Sequence, residues 1–377
     1  MTYPIALDYT AAYEQGGGIG RYVRELVAAL ARLDSSTQYR LFVAGANRDQ
    51  LPSPPNANFQ WKPSRITPAW FARIWHRAQV PLPVETFVGN ISLYHATDFV
   101  LPPTRRSTCT ILTVHDLSFV RVPEAASPNL KKYLDMVVPR SARRADHILA
   151  DSQATKDDLI SLYALPESKI TVLLSGVDAR FSHTTSALLT TRKTYRIGER
   201  PYLFTVGTVQ PRKNYVRLVE ALQMLRQQGC DVDLVIAGGK GWLDGPLYQK
   251  IDKLKLQEHV HLIGFAADTD LPTLYSGAAC VAFPSLYEGF GFPVLEGMAC
   301  GTPVVTSTVS SLPEVAGDAA LMVNPTDTEA IADAIRRVLD DSTLRAALIQ
   351  KGYAQAKKFT WENSARHLMQ VYQRVLG

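Results

Sequence analysis

The sequence predicts an α/β protein of two domains, each built on a parallel β-sheet with helices on both faces. The chain has 377 residues, more than the roughly 100–200 residues of one domain. Short apolar runs rich in β-branched residues recur along it, as expected of strands buried on both faces of a parallel sheet. Longer amphipathic runs separate several of them, which gives the repeated βα order of a doubly wound fold.

The first half of the chain supplies one βα series. Its clearest helical pattern covers 19–33, where apolar residues recur on one face, and a second pattern covers 154–164. The strands are predicted at 3–9, 39–45, 91–97, 109–116, 146–152 and 169–176.

Residues 180–200 interrupt this pattern because they are rich in Ser and Thr and contain no clear strand. We therefore predict a linker at 181–200. A second series follows, with a helical pattern at 214–228 and a closing helix at 361–377. Its strands are predicted at 201–207, 232–238, 260–265, 279–285, 302–307 and 319–324.

The predicted domains are thus 1–180 and 201–360, both Rossmann-like. In open parallel sheets, ligands bind beyond the carboxyl ends of the strands. With two such domains facing each other, we expect the binding site in the cleft between them.

Composition excludes several other classes of protein. Hydrophobic residues make up 46% and charged residues 20%, which argues against disorder. The net charge of +5 is unevenly placed: 22 basic and 16 acidic residues lie in 1–195, against 18 and 19 in 196–377. We expect the positive first half to meet an anionic partner.

The cysteines and the N-terminal residues bear on the cellular compartment. The four cysteines lie in or beside apolar runs and form no C-x-x-C pair, which is typical of small buried side chains in a reducing compartment. There is neither a signal-peptide pattern nor a run of about 18 apolar residues. We expect a cytoplasmic protein, and peripheral binding to the inner face of the cytoplasmic membrane is left open.

A glycine-rich loop at 15–22 follows the first strand and opens a helix. Glycines let the backbone approach a phosphate, and helix amides favour an anion; a plain tight turn is the alternative. Gly18 and Gly20 fit a G-x-G pattern, but the third glycine position holds Val23, which disfavours a nicotinamide oxidoreductase.

A second loop with the same placement, VGTVQPRKN at 206–214, contains two cations. Arg212 and Lys213 stand at the entrance of the next helix, with Asn214 as its predicted N-cap. Two cations beside helix amides suit a diphosphate; a solvated basic turn is the alternative.

The segment 287–305 is the most informative part of the sequence. Glu288 and Glu296 flank a Gly-Phe-Gly-Phe loop, and a helical pattern starts at Pro293. We expect Glu296 in the first helical turn, with the amides of residues 290–295 between the two carboxylates. Complementing the helix dipole is the alternative role for Glu296, but it leaves the glycine loop unexplained.

Histidines and aspartates end two predicted strands of the first domain. His115 and Asp116 follow TILTV, and His95 and Asp98 end the run YHATD. Both pairs are expected near the ligand-binding edge of the sheet, with a structural role as the alternative.

Two D-x-D matches, Asp231/Asp233 and Asp268/Asp270, resemble motifs that hold a divalent cation. The first pair leads into the amino end of a strand, and Asp270 is a reasonable N-cap. We therefore expect no metal site.

These motifs together resemble the retaining glycosyltransferases of family four, which have the two-domain GT-B fold. The resemblance spans nearly the whole chain. It rests on the glutamate pair at 288–296, the glycines at 16–18, VHD at 114–116, SGVD at 175–178, VGTVQPRKN at 206–214, SLPEVAGDAALMVNP at 311–325 and FTWE at 359–362.

The resemblance implies four catalytic residues. Glu288 would hold hydroxyls of the donor sugar, and His115 would contact that sugar near its reacting carbon. Lys213, together with Arg212, would stabilise the diphosphate as it leaves. The family often has an arginine where this chain has Thr208, so these two cations must carry the phosphate charge.

The resemblance also implies where a nucleotide-sugar donor binds. Glu296 would bind the ribose, and Phe265 lies where the family places the base. Gly17 and Gly18 would approach the diphosphate from the first domain, onto which the closing helix would cross back. The full set of donor-binding residues is Gly17, Gly18, Thr208, Phe265, Phe290, Gly291, Phe292, Val294, Leu295 and Glu296.

Two segments, 236–245 and 310–325, most resemble bacterial mannosyltransferases of polysaccharide or O-antigen synthesis. GDP-mannose is therefore the expected donor, with UDP- and dTDP-sugars open. The family resemblance implies front-face attack, with the leaving phosphate accepting the acceptor's proton. Fixed cations at the leaving group stabilise the transition state without a metal, so neither a metal nor another cofactor is expected.

The acceptor, a saccharide or a lipid-linked saccharide, is expected on the first domain. The segment 64–79 alternates aromatic and basic residues and predicts either a membrane-facing patch or a core-facing helix with a basic outer face. Its side chains of interest are Trp70, Phe71, Ile74 and Trp75 with Arg65, Arg73 and Arg77.

Two rival functions remain at this point. One is a sugar-nucleotide epimerase of the same fold, and the other is a non-enzymatic nucleotide- or nucleic-acid-binding module. The acidic second half argues against nucleic acid as a partner.

Overall fold

The computed structural model of the chain describes residues 4–377. It forms two compact units, each around one parallel sheet, so the predicted α/β fold is confirmed. The first unit contains residues 4–117, Lys132–Gly176 and Thr360–Gly377, and the second contains Ser118–Lys131 and Val177–Phe359.

The first sheet has seven parallel strands in the order β3-β2-β1-β4-β5-β6-β7. The sequence predicts all of them except β3, which contains Lys62 and Pro63. Proline is tolerated on edge strands because its missing N–H is not needed there. The strands are β1 Ile5–Asp8, β2 Tyr39–Ala44, β3 Phe59–Ser64, β4 Leu93–Ala96, β5 Cys109–Val114, β6 His147–Ala150 and β7 Ile170–Val172.

A short helix, α1, separates the first strand from the glycine loop, which the sequence pattern predicts directly after the strand. The Asp8 carboxylate accepts a hydrogen bond from the Thr10 N–H at 2.9 Å and begins this turn. The helices up to residue 176 are α1 Thr10–Glu14, α2 Gly18–Leu33, α3 Pro68–Phe71, α4 Glu85–Val88, α5 Ser118–Arg121, α6 Pro128–Arg144 and α7 Gln153–Tyr163.

The second sheet has six parallel strands in the order β10-β9-β8-β11-β12-β13, all at predicted positions. The strands are β8 Tyr202–Val206, β9 Asp233–Ala237, β10 Val260–Gly264, β11 Cys280–Phe283, β12 Val304–Ser307 and β13 Ala320–Val323. The helices are α8 Leu188–Thr194, α9 Tyr215–Gln227, α10 Gly245–Leu254, α11 Leu271–Ser276, α12 Phe292–Ala299, α13 Leu312–Ala316, α14 Thr328–Asp340 and α15 Ser342–Ala356.

The predicted linker at 181–200 is instead part of the second unit. It contains α8, and Phe181 and Ile197 at its two ends are buried. The ring of Phe181 packs edge-on against Tyr275, with centroids 5.9 Å apart. Because Ser and Thr dominate its composition, the pattern did not reveal these apolar contacts.

The closing helix, α16 Trp361–Leu376, belongs to the first unit. The Tyr372 hydroxyl lies 2.8 Å from His95 Nδ1, and Thr113 Oγ1 lies 2.8 Å from His95 Nε2. Burial lowers the pKa of His95 to about 3. His95 is therefore a neutral core residue and does not line a binding edge.

One segment of the first half, Ser118–Lys131, lies in the second unit. The indole N–H of Trp242 donates to the carbonyl oxygen of Ala125 at 2.8 Å.

Counted by unit, 19 basic and 15 acidic residues belong to the first, and 21 and 20 belong to the second. The net charge is thus +4 for the first unit and +1 for the second. This difference is smaller than the one between residues 1–195, at +6, and residues 196–377, at −1.

Two further expectations concern the whole chain. The four cysteines are free thiols, of which Cys280 and Cys300 are buried while Cys109 and Cys230 are half-buried. Among residues 4–377, no helix has both the length and the apolar character needed to cross a bilayer.

Candidate active site

Lys213 lies at the carboxyl edge of the second sheet, in the turn that follows β8. Its side chain crosses Gly207, where a Cβ would stand 2.8 Å from Lys213 Cε. Gly207 has a φ of +152°, so both conformation and space require glycine there. The Lys213 ammonium also lies 4.9 Å from the centroid of the Phe283 ring.

Glu288 joins the two cations of this turn. One carboxylate oxygen lies 2.7 Å from Lys213 Nζ, and the other lies 2.6 Å from an Arg212 guanidinium nitrogen. Arg212 also donates to the carbonyl oxygen of Tyr287 at 2.7 Å. Burial alone would raise the pKa of Glu288, but Arg212 and Lys213 outweigh it and lower the pKa. The structure thus brings three predicted catalytic residues together as a buried ionic cluster.

Two serines outside the predicted site residues hold the Glu288 loop in place. The backbone N–H of Glu288 donates to Ser310 Oγ at 2.9 Å. The Ser311 hydroxyl lies 2.9 Å from the carbonyl oxygen of Glu288 and 2.6 Å from that of Phe290. These contacts join segments about twenty residues apart, which no local pattern indicates.

Asn214 occupies the predicted N-cap position of α9, but its side chain does not cap the helix. Its amide group donates to the carbonyl oxygens of Pro284 at 2.9 Å and Pro325 at 2.7 Å. Asn214 has a left-handed φ of 62°, and its side chain contacts the neighbouring loops. Its role is therefore to tie the cationic turn to the ends of β11 and β13.

Helix α12 begins one residue earlier than predicted, at Phe292, with Gly291 as its N-cap. Glu296 consequently lies in the second turn instead of the first. The predicted row of amides is also shorter, because Pro293 has no N–H and the Val294 N–H donates to the Gly291 carbonyl at 3.0 Å. The side chains of Val294 and Leu295 are fully buried.

Glu296 is buried and receives a hydrogen bond from a tyrosine of α11. The Tyr275 hydroxyl donates to Glu296 Oε2 at 2.6 Å. This bond fixes one carboxylate oxygen of the predicted ribose-binding residue. Tyr275 was not predicted as a site residue, because no local motif marks a contact between α11 and α12.

Two glycines bring neighbouring loops of this edge into close contact. A Cβ at Gly238 would stand 2.0 Å from the Gly207 carbonyl oxygen. Thr208, which follows Gly207, is exposed. Phe265, the predicted base-binding residue, follows Gly264 at the end of β10 with 67% of its surface exposed.

In the first unit, the glycine loop forms the start of α2 with Gly17 as its N-cap. A Cβ at Gly17 would meet no heavy atom within 4 Å, whereas one at Gly20 would stand 2.1 Å from the Gln15 carbonyl oxygen. Gly20 is thus required by packing, and Gly17, beside Gly18, leaves space at the helix N-terminus.

His115 follows β5 and is almost completely buried. Its Nδ1 lies 2.8 Å from Asp151 Oδ2, and its Nε2 lies 2.9 Å from the Thr97 carbonyl oxygen. Burial would lower the pKa of His115, but the Asp151 carboxylate raises it to about 9. Both ring nitrogens are thus engaged by the protein itself.

The D-x-D aspartates have structural partners. Asp233 is buried between His259 and His261, at 2.9 and 3.2 Å. Asp270 accepts a hydrogen bond from the Tyr195 hydroxyl, and Asp268 pairs with Arg180. Among the residues that the structure describes, no group of His, Cys, Asp or Glu has a metal-binding arrangement.

The segment 64–79 has buried aromatic residues and an exposed basic side, as in the core-facing reading of the sequence. Phe71 and Trp75 are buried and stack at 4.1 Å, so they belong to the core. Trp70 is 54% exposed, with the Arg73 guanidinium 4.8 Å from its ring centroid. The basic outer face therefore includes one exposed indole.

Two Rossmann-like units and a cationic, glycine-lined edge are features of the glycosyltransferase class. Residues 16–181 match the family described as Glycosyltransferase Family 4, and residues 190–355 match Glycosyl transferases group 1. The chain is 32% identical to the O-antigen chain mannosyltransferase B of Escherichia coli over 369 residues, 94% of this chain and 95% of that protein. The chain belongs to the family 4 glycosyltransferases.

Further similarities agree with this family. The O-antigen chain mannosyltransferase RfbU of Salmonella typhimurium is 27% identical over 74% of this chain and 72% of that protein. The solved sucrose-phosphate synthase of Thermosynechococcus elongatus superposes with a TM-score of 0.77 at 22% identity, over 99% of both chains. That similarity establishes the fold, which is the GT-B fold expected from the sequence.

Proposed function

We propose that this glycosyltransferase moves mannose from GDP-mannose to a hydroxyl of a saccharide or lipid-linked saccharide acceptor during the synthesis of an O-antigen-like polysaccharide. The observation that carries the proposal is the 32% identity to an O-antigen chain mannosyltransferase over 94% of this chain and 95% of that protein. An alignment over nearly both full lengths includes the elements of both units.

The ionic cluster supports a metal-independent transfer. Breaking a glycosyl–phosphate bond places negative charge on the leaving diphosphate, and cations fixed in a buried setting stabilise that charge. Lys213 is only 9% exposed, and Arg212 is partly buried. Glu288 contacts both cations and so orients them. We assign them to the diphosphate and Glu288 to the donor sugar.

The remaining roles follow the same assignment. Glu296, oriented by Tyr275, binds the ribose, and the exposed ring of Phe265 stacks on the base. The reaction retains the anomeric configuration, and the leaving phosphate accepts the acceptor's proton. The Gly17–Gly18 helix start lies on the unit that receives the acceptor.

We also propose that the first unit contacts the membrane peripherally through Trp70 and the arginines beside it. An exposed indole next to basic side chains suits the interface of an anionic bilayer. Sedimentation with phosphatidylglycerol vesicles should weaken for Trp70→Ala and stay unchanged for Leu189→Ala, an exposed apolar residue of the second unit. Equal sedimentation of both variants would contradict this contact.

The donor is tested by a thermal-shift screen of GDP-mannose, UDP-glucose and dTDP-glucose, followed by transfer assays with and without EDTA. A ligand that binds the native state raises the apparent unfolding temperature. We expect a shift with GDP-mannose, transfer that survives EDTA, and an α-linked product by NMR. A shift with UDP-glucose alone refutes the donor, loss of activity in EDTA refutes metal independence, and a new sugar nucleotide formed without acceptor indicates an epimerase.

A further inference from the structure

The two hydrogen bonds of the His115 ring fix its protonation. A backbone carbonyl can only accept a hydrogen bond, so the nitrogen facing Thr97 carries a proton. Burial raises the pKa of Asp151 and the contact with His115 opposes that rise; once ionised, its carboxylate only accepts, so the nitrogen facing it then carries the second proton. A neutral ring with this geometry would direct a lone pair at the Asp151 carboxylate.

The ring is also held against rotation. Tyr22 and Phe99 both contact it edge-on, with ring centroids 5.0 and 5.4 Å away. The hydroxyl of Thr155 donates to the His115 carbonyl at 3.2 Å. The Thr97 hydroxyl donates to the Asp8 carbonyl at 2.6 Å, so the bond from His115 to Thr97 links the ends of three strands.

The charged groups around His115 are mostly acidic. Asp151 follows β6 and contacts the ring directly, while the carboxylates of Asp98 and Asp116 act on this pair from the ends of β4 and β5. His95 is the basic neighbour, and it is neutral within the core. These surroundings favour a positive charge on His115.

Resting on the proposed glycosyl transfer, we propose that Asp151 is a positioning residue that keeps His115 as a fixed, doubly protonated cation at the carboxyl edge of the first sheet. His115 then serves the transfer through its charge and orientation and exchanges no proton with the substrates. A cation that the protein itself fixes in place needs no reorganisation when negative charge develops on the leaving diphosphate.

The variant Asp151→Asn tests this directly because it preserves the shape of the side chain. The Asn amide group donates a hydrogen bond to Nδ1, while Nε2 keeps its proton for the Thr97 carbonyl. Both hydrogen bonds survive, but the ring becomes neutral at pH 8. We therefore expect a folded protein with about tenfold lower kcat at that pH, less than the roughly 100-fold or greater loss for a donor in direct contact with the developing anion.

The first readout is an NMR titration of ¹⁵N-histidine-labelled protein, which needs no substrate. Wild-type His115 should stay doubly protonated until about pH 9, and in Asp151→Asn it should be neutral above about pH 6.5. The second readout is the pH profile of kcat with whichever sugar nucleotide the wild type uses. The kcat of the variant should rise as the pH falls, whereas the wild-type kcat should not.

The matched control is Asp233→Asn, another buried aspartate paired with histidines, at the amino edge of the second sheet. It should leave the pH profile of kcat unchanged. A neutral wild-type His115 at pH 7, or a wild-type pH profile in Asp151→Asn, overturns the proposal. Failure of GDP-mannose as donor affects the proposed function but neither the titration nor an assay with another sugar nucleotide.

Discussion

The carboxyl edges of the two sheets carry opposite chemistry, although both sheets are parallel and built in the same way. In the second unit, β8 and β9 are followed by glycines with positive φ, and Arg212 and Lys213 outnumber the one carboxylate between them. In the first unit, four neighbouring strands end in or are followed by aspartates: Asp8, Asp98, Asp116 and Asp151.

This difference shows that total charge is a poor guide to the charge at a binding edge. The first unit has the larger basic excess, yet its carboxyl edge is acidic apart from His115. Carboxylates accept hydrogen bonds from sugar hydroxyls, whereas cations bind phosphate. Three exposed basic side chains of the first unit, Arg65, Arg73 and Arg77, lie instead in the segment around Trp70.

The largest effect should come from removing the ammonium of the basic edge. Lys213→Ala should lower kcat by about 100-fold or more, the usual loss for one fixed donor to a developing anion. Steady-state transfer assays measure it, and Lys250→Ala, which breaks a lysine–glutamate pair on α10 and α9, is the control. Near-normal transfer by Lys213→Ala would remove the basic edge from the mechanism.

The second-largest effect should come from the close contact between the loops that contain Gly207 and Gly238. Gly238→Ala places a Cβ 2.0 Å from the Gly207 carbonyl oxygen at a φ of +156°, so it should lower the free energy of unfolding by about 2 kcal/mol or more. Urea unfolding measures this. Gly239→Ala, where a Cβ meets nothing within 4 Å, should cost less, and equal losses would contradict the packing argument.

The acidic edge should make stability depend on pH. The folded-state pKa of His115, about 9, exceeds its ordinary value of about 6.5. Its contribution to stability is therefore complete below pH 6.5 and is lost as the pH rises through 9. The loss is about 3 kcal/mol at most. Urea unfolding between pH 6 and 9.5 should show this slope in the wild type and a smaller slope in Asp151→Asn.

The smallest expected effect concerns the orientation of Glu296. Tyr275→Phe removes one hydrogen bond to its carboxylate, which is worth about 1 kcal/mol, or roughly a fivefold weaker donor affinity. Isothermal titration calorimetry with the donor measures it. Tyr202→Phe, which loses a bond to a backbone carbonyl, should leave donor affinity unchanged. The same loss in both variants would indicate a general effect on packing.

Sequence patterns predicted the elements and several site residues but not the contacts that orient them. Strand runs and glycine loops are local features, so twelve strands and the cationic turn could be placed from the sequence. Tyr275, Ser311 and Asp151 act on residues 21 to 36 positions away, and no local signal marks such contacts. The edge strand β3 was not predicted because Pro63 argues against a strand.

The chain passes between the two units four times, at residues 117–118, 131–132, 176–177 and 359–360. A chimera of two related enzymes joined at one point near residue 177 would therefore take α16 from the wrong parent. The bond between His95 and Tyr372 would then depend on two unrelated sequences. If the second unit binds the donor, as proposed, exchanging donor specificity requires transferring Val177–Phe359 together with Ser118–Lys131, while α16 stays with the first unit.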